Sequence, residues 1–599
     1  MEKSKTLLKR EEVPVEDTWN LEKIYKNEDE FQEDFKYLKE IYTGLGDFKG
    51  TLKDPNNLLE YLKLDEKVSR LAEKLYVYSN MKNHEDMNNG KYINMKKQVE
   101  IFLPEISSLT SFFVPELLSM DDNYLEECMK VPELQKYKFE LEDILKMKPH
   151  TLSESEERIL ATLSESLSAP EEAFSLLTNA DMTFPKVKDE NGEEVDFNEA
   201  RYSNFIKSKD RAVRKEAFET LFNTYKQFKN TLATTLTASI NNFNISAKLR
   251  HFSSPLEASL KPNNIDVKVY DNTIDTVNKN LHLLHRYVDI KKRLLGLDEI
   301  HMYDLYVPLI DTPKEHIEFD DGVKLVEKAL APLGEEYLSI FKEGIKNRWV
   351  DKYDNEGKRQ GAYSWGSYDT DPYVLLNYNY DINDVSTLAH EMGHSLHSYY
   401  SRKNQDYIYS DYTLFCAEVA STTNEILFIK YMIDNEKDEN KRLYLVNTMI
   451  EGIRTTVFRQ TMFAEFEKIT HNTLNEGTPL NADGLCKIWL DLNRKYFGED
   501  IVVDEEIAME WARIPHFYTD FYVYQYATGY SCANSFANNI LQGGEEALEK
   551  YKGFLKAGGS DYPLEILRKA GVDISTPKPI EDTMKNFEML LDILETAIK

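Results

Sequence analysis

The sequence predicts a mostly α-helical protein with one small β element, and three observations carry that reading. Its 599 residues include only 24 glycines and 19 prolines, too few for a turn-rich all-β chain. Apolar residues recur at helical spacing from residue 20 to about 180 and again beyond 384; Ile450, Ile453, Val457, Met462, Phe463 and Phe466 form one such stripe. Alternating runs beside turn residues interrupt this pattern near 183–197 and 349–378.

The helices up to residue 180 break at Asp54-Pro55-Asn56-Asn57 and around Pro149. The run Thr183–Lys188, the turn Asp189-Glu190-Asn191-Gly192 and the run Glu194–Phe197 read as a hairpin, because Asn-Gly between alternating runs favours a tight turn. A boundary is therefore expected near residue 200, giving a helical region 1–200 and a second region 201–599. Trp349–Tyr353 with the turn Asp354–Gly357 reads as another hairpin, followed by Gly361–Gly366 and the β-prone run Tyr373–Tyr378. A helix then starts at Asp384 as N-cap; Val385–Tyr400 contains no proline, and Leu388, Met392, Leu396 and Tyr399 give it a buried face.

Composition excludes several function classes. The net charge of −31 repels nucleic acid and anionic membrane surfaces. With 41% hydrophobic and 12% aromatic residues the chain can fill a large interior, so disorder is excluded. Cys128, Cys416, Cys486 and Cys532 are far apart and suggest no disulfide framework or cysteine zinc knuckle. The N-terminal stretch lacks a sustained apolar segment, and no run approaches the roughly 18 uninterrupted apolar residues of a membrane span. A cytoplasmic protein is expected.

The chemistry centres on His390-Glu391-Met392-Gly393-His394. Histidines at i and i+4 lie on one helix face and can reach one metal ion, while the adjacent Glu391 can touch a water there without being a ligand. Gly393 in mid-helix costs about 1 kcal/mol relative to alanine, so it serves either close packing or substrate approach. A catalytic zinc normally takes three protein ligands and keeps one position for water. The position six residues past His394 is Tyr400, so the third ligand is not a histidine there. Glu418, a carboxylate inside the mostly apolar run Phe415–Glu425, is the better candidate, since a charge in such a run needs a cation. Glu425 projects from the same face and either accepts from a ligand imidazole or is a solvated charge. His397 either supports the site or faces solvent. Downstream, His516 precedes Tyr522, Tyr524 and Tyr526, whose N–H and O–H groups are the donors that stabilise an oxyanion. A helical binding scaffold with a closed structural metal site is the competing class, and an exopeptidase with the same metal core is a third.

The runs Leu388–Ser398, Ala417–Ser421 and His516-Phe517-Tyr518 resemble the oligoendopeptidase F family of thimet-oligopeptidase-like zinc metallopeptidases. So do Thr18–Leu21, Gly361–Ser364 and Tyr522–Gly529, so the resemblance spans nearly the whole chain. It implies one zinc per chain held by His390, His394 and Glu418, with Glu391 as general base. It implies that His516 and one or two of Tyr522, Tyr524 and Tyr526 stabilise the transition state. It further implies a two-lobed helical fold enclosing a deep channel, with short unstructured peptides as substrates. Residues Gly361, Ala362, Asn377 and Tyr378 would bind them, with Tyr373–Tyr378 as an edge strand that pairs with the peptide backbone.

Overall fold

The computed structural model describes residues 7–121, 123–311 and 315–598. The elements used below are α1 (Pro55–Glu85), α2 (Gly90–Thr110), β1 (Val187–Lys188), β2 (Glu194–Val195), α3 (Lys229–Leu249), β3 (Ile300–His301), β4 (Val350–Asp351), β5 (Tyr363–Trp365), β6 (Tyr373–Leu375), α4 (Ile382–Asn404), α5 (Leu414–Asn435), α6 (Arg459–Asn475), β7 (Ile501–Val502) and α7 (Tyr524–Ala557). Helix dominates, as expected. The described residues form two compact units, each of three segments. The first comprises Met1–Thr151, Lys314–Tyr431 and Phe536–Gly571; the second comprises Leu152–Pro313, Met432–Ser535 and Val572–Lys599. Two of the divisions fall inside α5 and α7, and none falls near residue 200. The break in helical pattern there is the local hairpin β1–β2, paired Val187 with Val195, within the second unit.

In the first unit, the break at 54–57 is a helix start. Asp54 caps α1 by accepting from Asn56 N–H, with Pro55 at the first helical position. The apolar faces of α1 and α2 close on a core that includes Trp19, Phe31, Leu75, Val99, Tyr373 and Leu375. The stretch Gly90–Leu118 is long and apolar enough by length and composition alone to cross a membrane, although residues such as Glu100 and Glu105 interrupt it. It carries Pro104 within α2, which ends at Thr110, and it places Met95, Val99 and Phe102 in the core.

The three-stranded sheet departs from expectation. β6 is its centre, parallel to β4 and antiparallel to β5 (Val350 opposite Val374, Ser364 opposite Val374). The run beginning at Tyr373 is thus not an edge, because its backbone groups are spent on both sides; β5 lies at an edge instead. Likewise β4 does not form a hairpin with the segment after it. Its partner is β6, more than twenty residues on, and the hairpin is β5–β6.

Just beyond this sheet, Tyr380 adopts a positive φ of 70° and delivers the chain to α4. The N-cap of α4 is Asp381, which accepts from the N–H groups of Asn383 and Asp384. Asp384 is instead the third helical residue, and its carboxylate reaches back to Asp381 N–H at 3.1 Å. Both acids suit a helix start, and the capping box assigns them opposite ends of one motif. The buried face of α4 includes Leu388, Met392 and Leu396 as expected, but Tyr400 rather than Tyr399.

In the second unit, α3 and α6 pack together around an aromatic core. Trp489 lies 5.0 Å from Phe466 and 5.2 Å from Phe463, ring centroid to centroid. The stripe Ile450, Ile453, Val457, Met462, Phe463 and Phe466 is fully buried.

Candidate metal centre

Two helices of the first unit build the site, and a glycine sets their distance. A Cβ added at Gly393 of α4 would lie 2.6 Å from Ser421 Cα and 3.1 Å from Ala420 O, both backbone atoms of α5. Close packing is therefore the reason for this glycine. Asn424, wholly buried in α5, donates to Ala389 O at 3.0 Å and accepts from the Tyr337 hydroxyl at 3.0 Å. That amide fixes the register of α5 beside the turn that carries His390. From the other side, Ser395 of α4 hydrogen-bonds Ser364 of β5 at 2.8 Å. The sequence reading did not single out Asn424, Ser395 or Ser364; an amide inside the apolar run Phe415–Glu425 was the available signal for the first.

This framework brings the expected ligands together. His390 Nε2 and His394 Nε2 each lie 3.5 Å from Glu418 Oε2. One ligand atom from each of the three residues falls within 4.8 Å of the others. Ser421 Oγ donates to Glu418 Oε2 at 3.2 Å and steadies the carboxylate. Glu425 Oε2 is 3.1 Å from His390 Nδ1, close but off the line of a hydrogen bond. It stands where it can orient that ring. Glu391, beside these groups, is 7% exposed.

The electrostatics show what the cluster lacks. Three carboxylates converge on two imidazoles, and the groups acting most strongly on Glu391 are His390, His394, Glu418 and Glu425, none of them a lysine or arginine. Burial raises the Glu391 carboxyl above its usual range, with the imidazoles opposing. Burial also works against charge on His390, yet Glu425, Glu391 and Glu418 outweigh it and lift the imidazole to about 9. Contact with His394 draws Glu418 down to about 2. The cluster thus attracts positive charge, and two nitrogens with a carboxylate oxygen are a donor set that suits zinc.

Other expected residues are placed as follows. His397 does not face solvent. It is 1% exposed, stacked 3.7 Å from the Tyr412 ring with Phe554 nearby, and burial lowers its imidazole to about 3. Its part is packing. Tyr378 is buried, with its hydroxyl donating to Ile317 O at 3.1 Å, so its side chain is also structural. Asn377 donates to Arg359 O and Gly361 O at 3.1 and 2.7 Å and shapes the turn before β5. Gly361 in that turn has φ 88°, and Ala362 is half-buried.

In the second unit, His516 is exposed, with Tyr526 Oη 3.4 Å from its Nε2. The Tyr522 ring lies parallel to the imidazole at 6.1 Å and 5.4 Å from Tyr526. Tyr524 does not belong to this group. It is 2% exposed and packs on Tyr270 at 5.1 Å, because α7 begins at residue 524 and turns that side chain inward.

A helical fold that sets two imidazoles one turn apart, with a neighbouring-helix carboxylate and an adjacent buried glutamate, defines a metallopeptidase. The comparisons agree. Residues 204–586 match the model of peptidase family M3 and residues 116–184 that of oligopeptidase F, and the chain belongs to peptidase family M3. It is 46% identical to oligopeptidase PepF of Bacillus subtilis over 598 residues, covering 100% of this chain and 89% of that one. It is 40% identical to the group B oligopeptidase PepB of Streptococcus agalactiae, covering 97% of each. Among solved structures, oligoendopeptidase-F from Enterococcus faecium superposes with a TM-score of 0.74 at 37% identity, covering 95% of this chain and 99% of that one. The protein is an enzyme that hydrolyses peptides.

Proposed function

We propose that the protein is a zinc-dependent endopeptidase that cuts internal bonds of short, unstructured peptides. The observation that carries this reading is the convergence of His390, His394 and Glu418 with two further carboxylates and no lysine or arginine among their strongest neighbours. Those residues fit a divalent cation, and His390, His394 and Glu418 would hold one zinc per chain. Zinc, when bound, supplies Lewis acidity to the scissile carbonyl and to the attacking water.

The chain's own residues handle the protons. Glu391 takes a proton from the attacking water and returns it to the leaving amine; burial, which raises its carboxyl, suits a base that must then act as acid. Glu425 keeps the His390 ring turned toward the focus. His516, Tyr522 and Tyr526 donate hydrogen bonds to the oxyanion of the transition state. The edge of β5, tied to the metal helix through Ser364 and Ser395, pairs with the substrate backbone, and the turn at Gly361, Ala362 and Asn377 flanks it. Main-chain pairing tolerates many sequences. The names oligopeptidase and oligoendopeptidase among the relatives support short substrates. Four free thiols support action in the reducing cytoplasm.

The test is Glu391→Gln with a quenched peptide blocked at both termini. Turnover should fall about 10²- to 10⁴-fold while zinc stays near one per chain. Near-normal turnover refutes the role of Glu391, and failure of the wild type to cut the doubly blocked peptide refutes endopeptidase action.

A further inference from the structure

The second unit carries a buried acid that the reaction above does not use. Glu467 of α6 is 2% exposed, and its Oε1 accepts from Phe521 N–H at 2.9 Å. Its Oε2 has no hydrogen-bond partner among the described residues. Phe521 has φ 57°, the left-handed region, a costly conformation for a bulky aromatic residue. Such strain persists only where the surroundings hold it.

The surroundings here are specific. The Phe521 ring sits 4.2 Å from His471 and 5.7 Å from Tyr270. His471 is itself keyed to α3, its Nδ1 2.8 Å from Asn244 Oδ1 while Asn244 Nδ2 donates to His471 O at 3.0 Å. On the other side of the turn, Ser259 Oγ donates to Asp520 O at 3.1 Å. Within the loop, Thr519 N–H bonds His516 O at 3.0 Å and Tyr522 N–H bonds Thr519 O at 3.2 Å. Phe521 therefore lies between His516 and the first turn of α7, and its φ sets the direction in which Tyr522 and Tyr526 leave.

We propose that Glu467 is a positioning residue: by accepting the Phe521 N–H it holds the left-handed turn that arranges Tyr522 and Tyr526 around His516. The inference rests on the role proposed above for those three side chains. Burial raises the Glu467 carboxyl well above its usual range, with the Phe521 N–H opposing. An amide offers the same acceptor, which makes glutamine the informative replacement.

The test uses the zinc-loaded full chain and the doubly blocked quenched peptide. Tyr522→Phe and Tyr526→Phe establish what the hydroxyls contribute. Glu467→Gln should keep kcat within about twofold of wild type, whereas Glu467→Met should lower kcat about tenfold to a hundredfold, with KM changed less than about twofold and zinc still near one per chain. Should the methionine variant fail to fold, Glu467→Asp, one methylene shorter, withdraws the acceptor from the same N–H and should lower kcat in the same direction. Unchanged kcat in whichever of these two folds, or an equal loss in Glu467→Gln, overturns the proposal while leaving the tyrosines' role intact if their phenylalanine variants are impaired. Full activity in both phenylalanine variants overturns that role and this proposal with it.

Discussion

Around Asp351, two carboxylates meet three cations. Arg10 lies 2.5 Å from Asp351 and 3.1 Å from Glu85; Lys358 is 2.6 Å from Asp351, and Lys82 is 2.5 Å from Glu85. Trp19 adds its indole N–H to Glu85 at 2.7 Å. The cluster around His390, in the same unit, gathers three carboxylates and two imidazoles, and the strongest neighbours of its buried glutamate include no lysine or arginine. Both clusters concentrate charge in a low-dielectric setting, where an unpaired ion is expensive. The first is completed by the chain and so serves the fold. On the reading proposed above, the second takes its cation from outside, and that sets it apart from the first.

The largest test of this contrast is metal removal. A chelator should abolish peptide hydrolysis and added zinc should restore it, while far-ultraviolet circular dichroism stays unchanged, because Gly393 and Asn424 hold α4 against α5 without the ion. Asp351→Asn should do the reverse. It leaves Lys358 without its carboxylate and Arg10 with Glu85 alone, and should cost about 3–5 kcal/mol in denaturant unfolding at neutral pH, with zinc stoichiometry unaltered. The pH dependence has a definite sign. Burial opposes the Asp351 charge, but Lys358 and Arg10 prevail and hold the carboxyl below its usual range. On acidification the unfolded chain, with an aspartate value near about 4, takes up the proton first. Wild-type stability from this group is therefore complete above about pH 5 and is lost as pH falls through 4 and below, so the deficit of Asp351→Asn should shrink there.

Two smaller effects sharpen the picture. Glu425→Gln removes a charge beside His390 and should weaken zinc about 10- to 100-fold in a chelator competition. Gly393→Ala sets helix propensity, a gain of about 1 kcal/mol, against a Cβ 2.6 Å from a backbone atom that cannot turn away. The clash should win, lowering stability by about 1–2 kcal/mol net and weakening zinc as Glu418 is pushed aside. A stabilised alanine variant would show that α4 and α5 are not in close contact there.

Much of this site could be read from the chain. Two histidines one turn apart declare a shared face wherever a helix forms, and Glu418 stands out as a charge in an apolar run. What stayed hidden depended on phase or on distant partners. Whether Tyr522, Tyr524 or Tyr526 points inward turns on where α7 begins, and a one-residue shift of a helix start moves a side chain about 100°. Asp381 and Asp384 are both credible caps, and only the backbone assigns their order. Tyr373 begins a central strand because β4 comes back beside it from far upstream in parallel, a pairing that periodicity does not encode. His397 was ambiguous because a neutral imidazole packs as readily as it ligates.

Asn424 has a practical consequence for anyone transplanting this site. Its amide is engaged at both ends, so sliding or rotating α5 by a single position would break both bonds at once. Grafting only the two histidines and two glutamates onto another helical hairpin would copy the ink and leave out the ruler. The portable cassette is the pair of helices with its glycine notch and its amide peg, and a donor scaffold lacking either should bind ions loosely and indiscriminately.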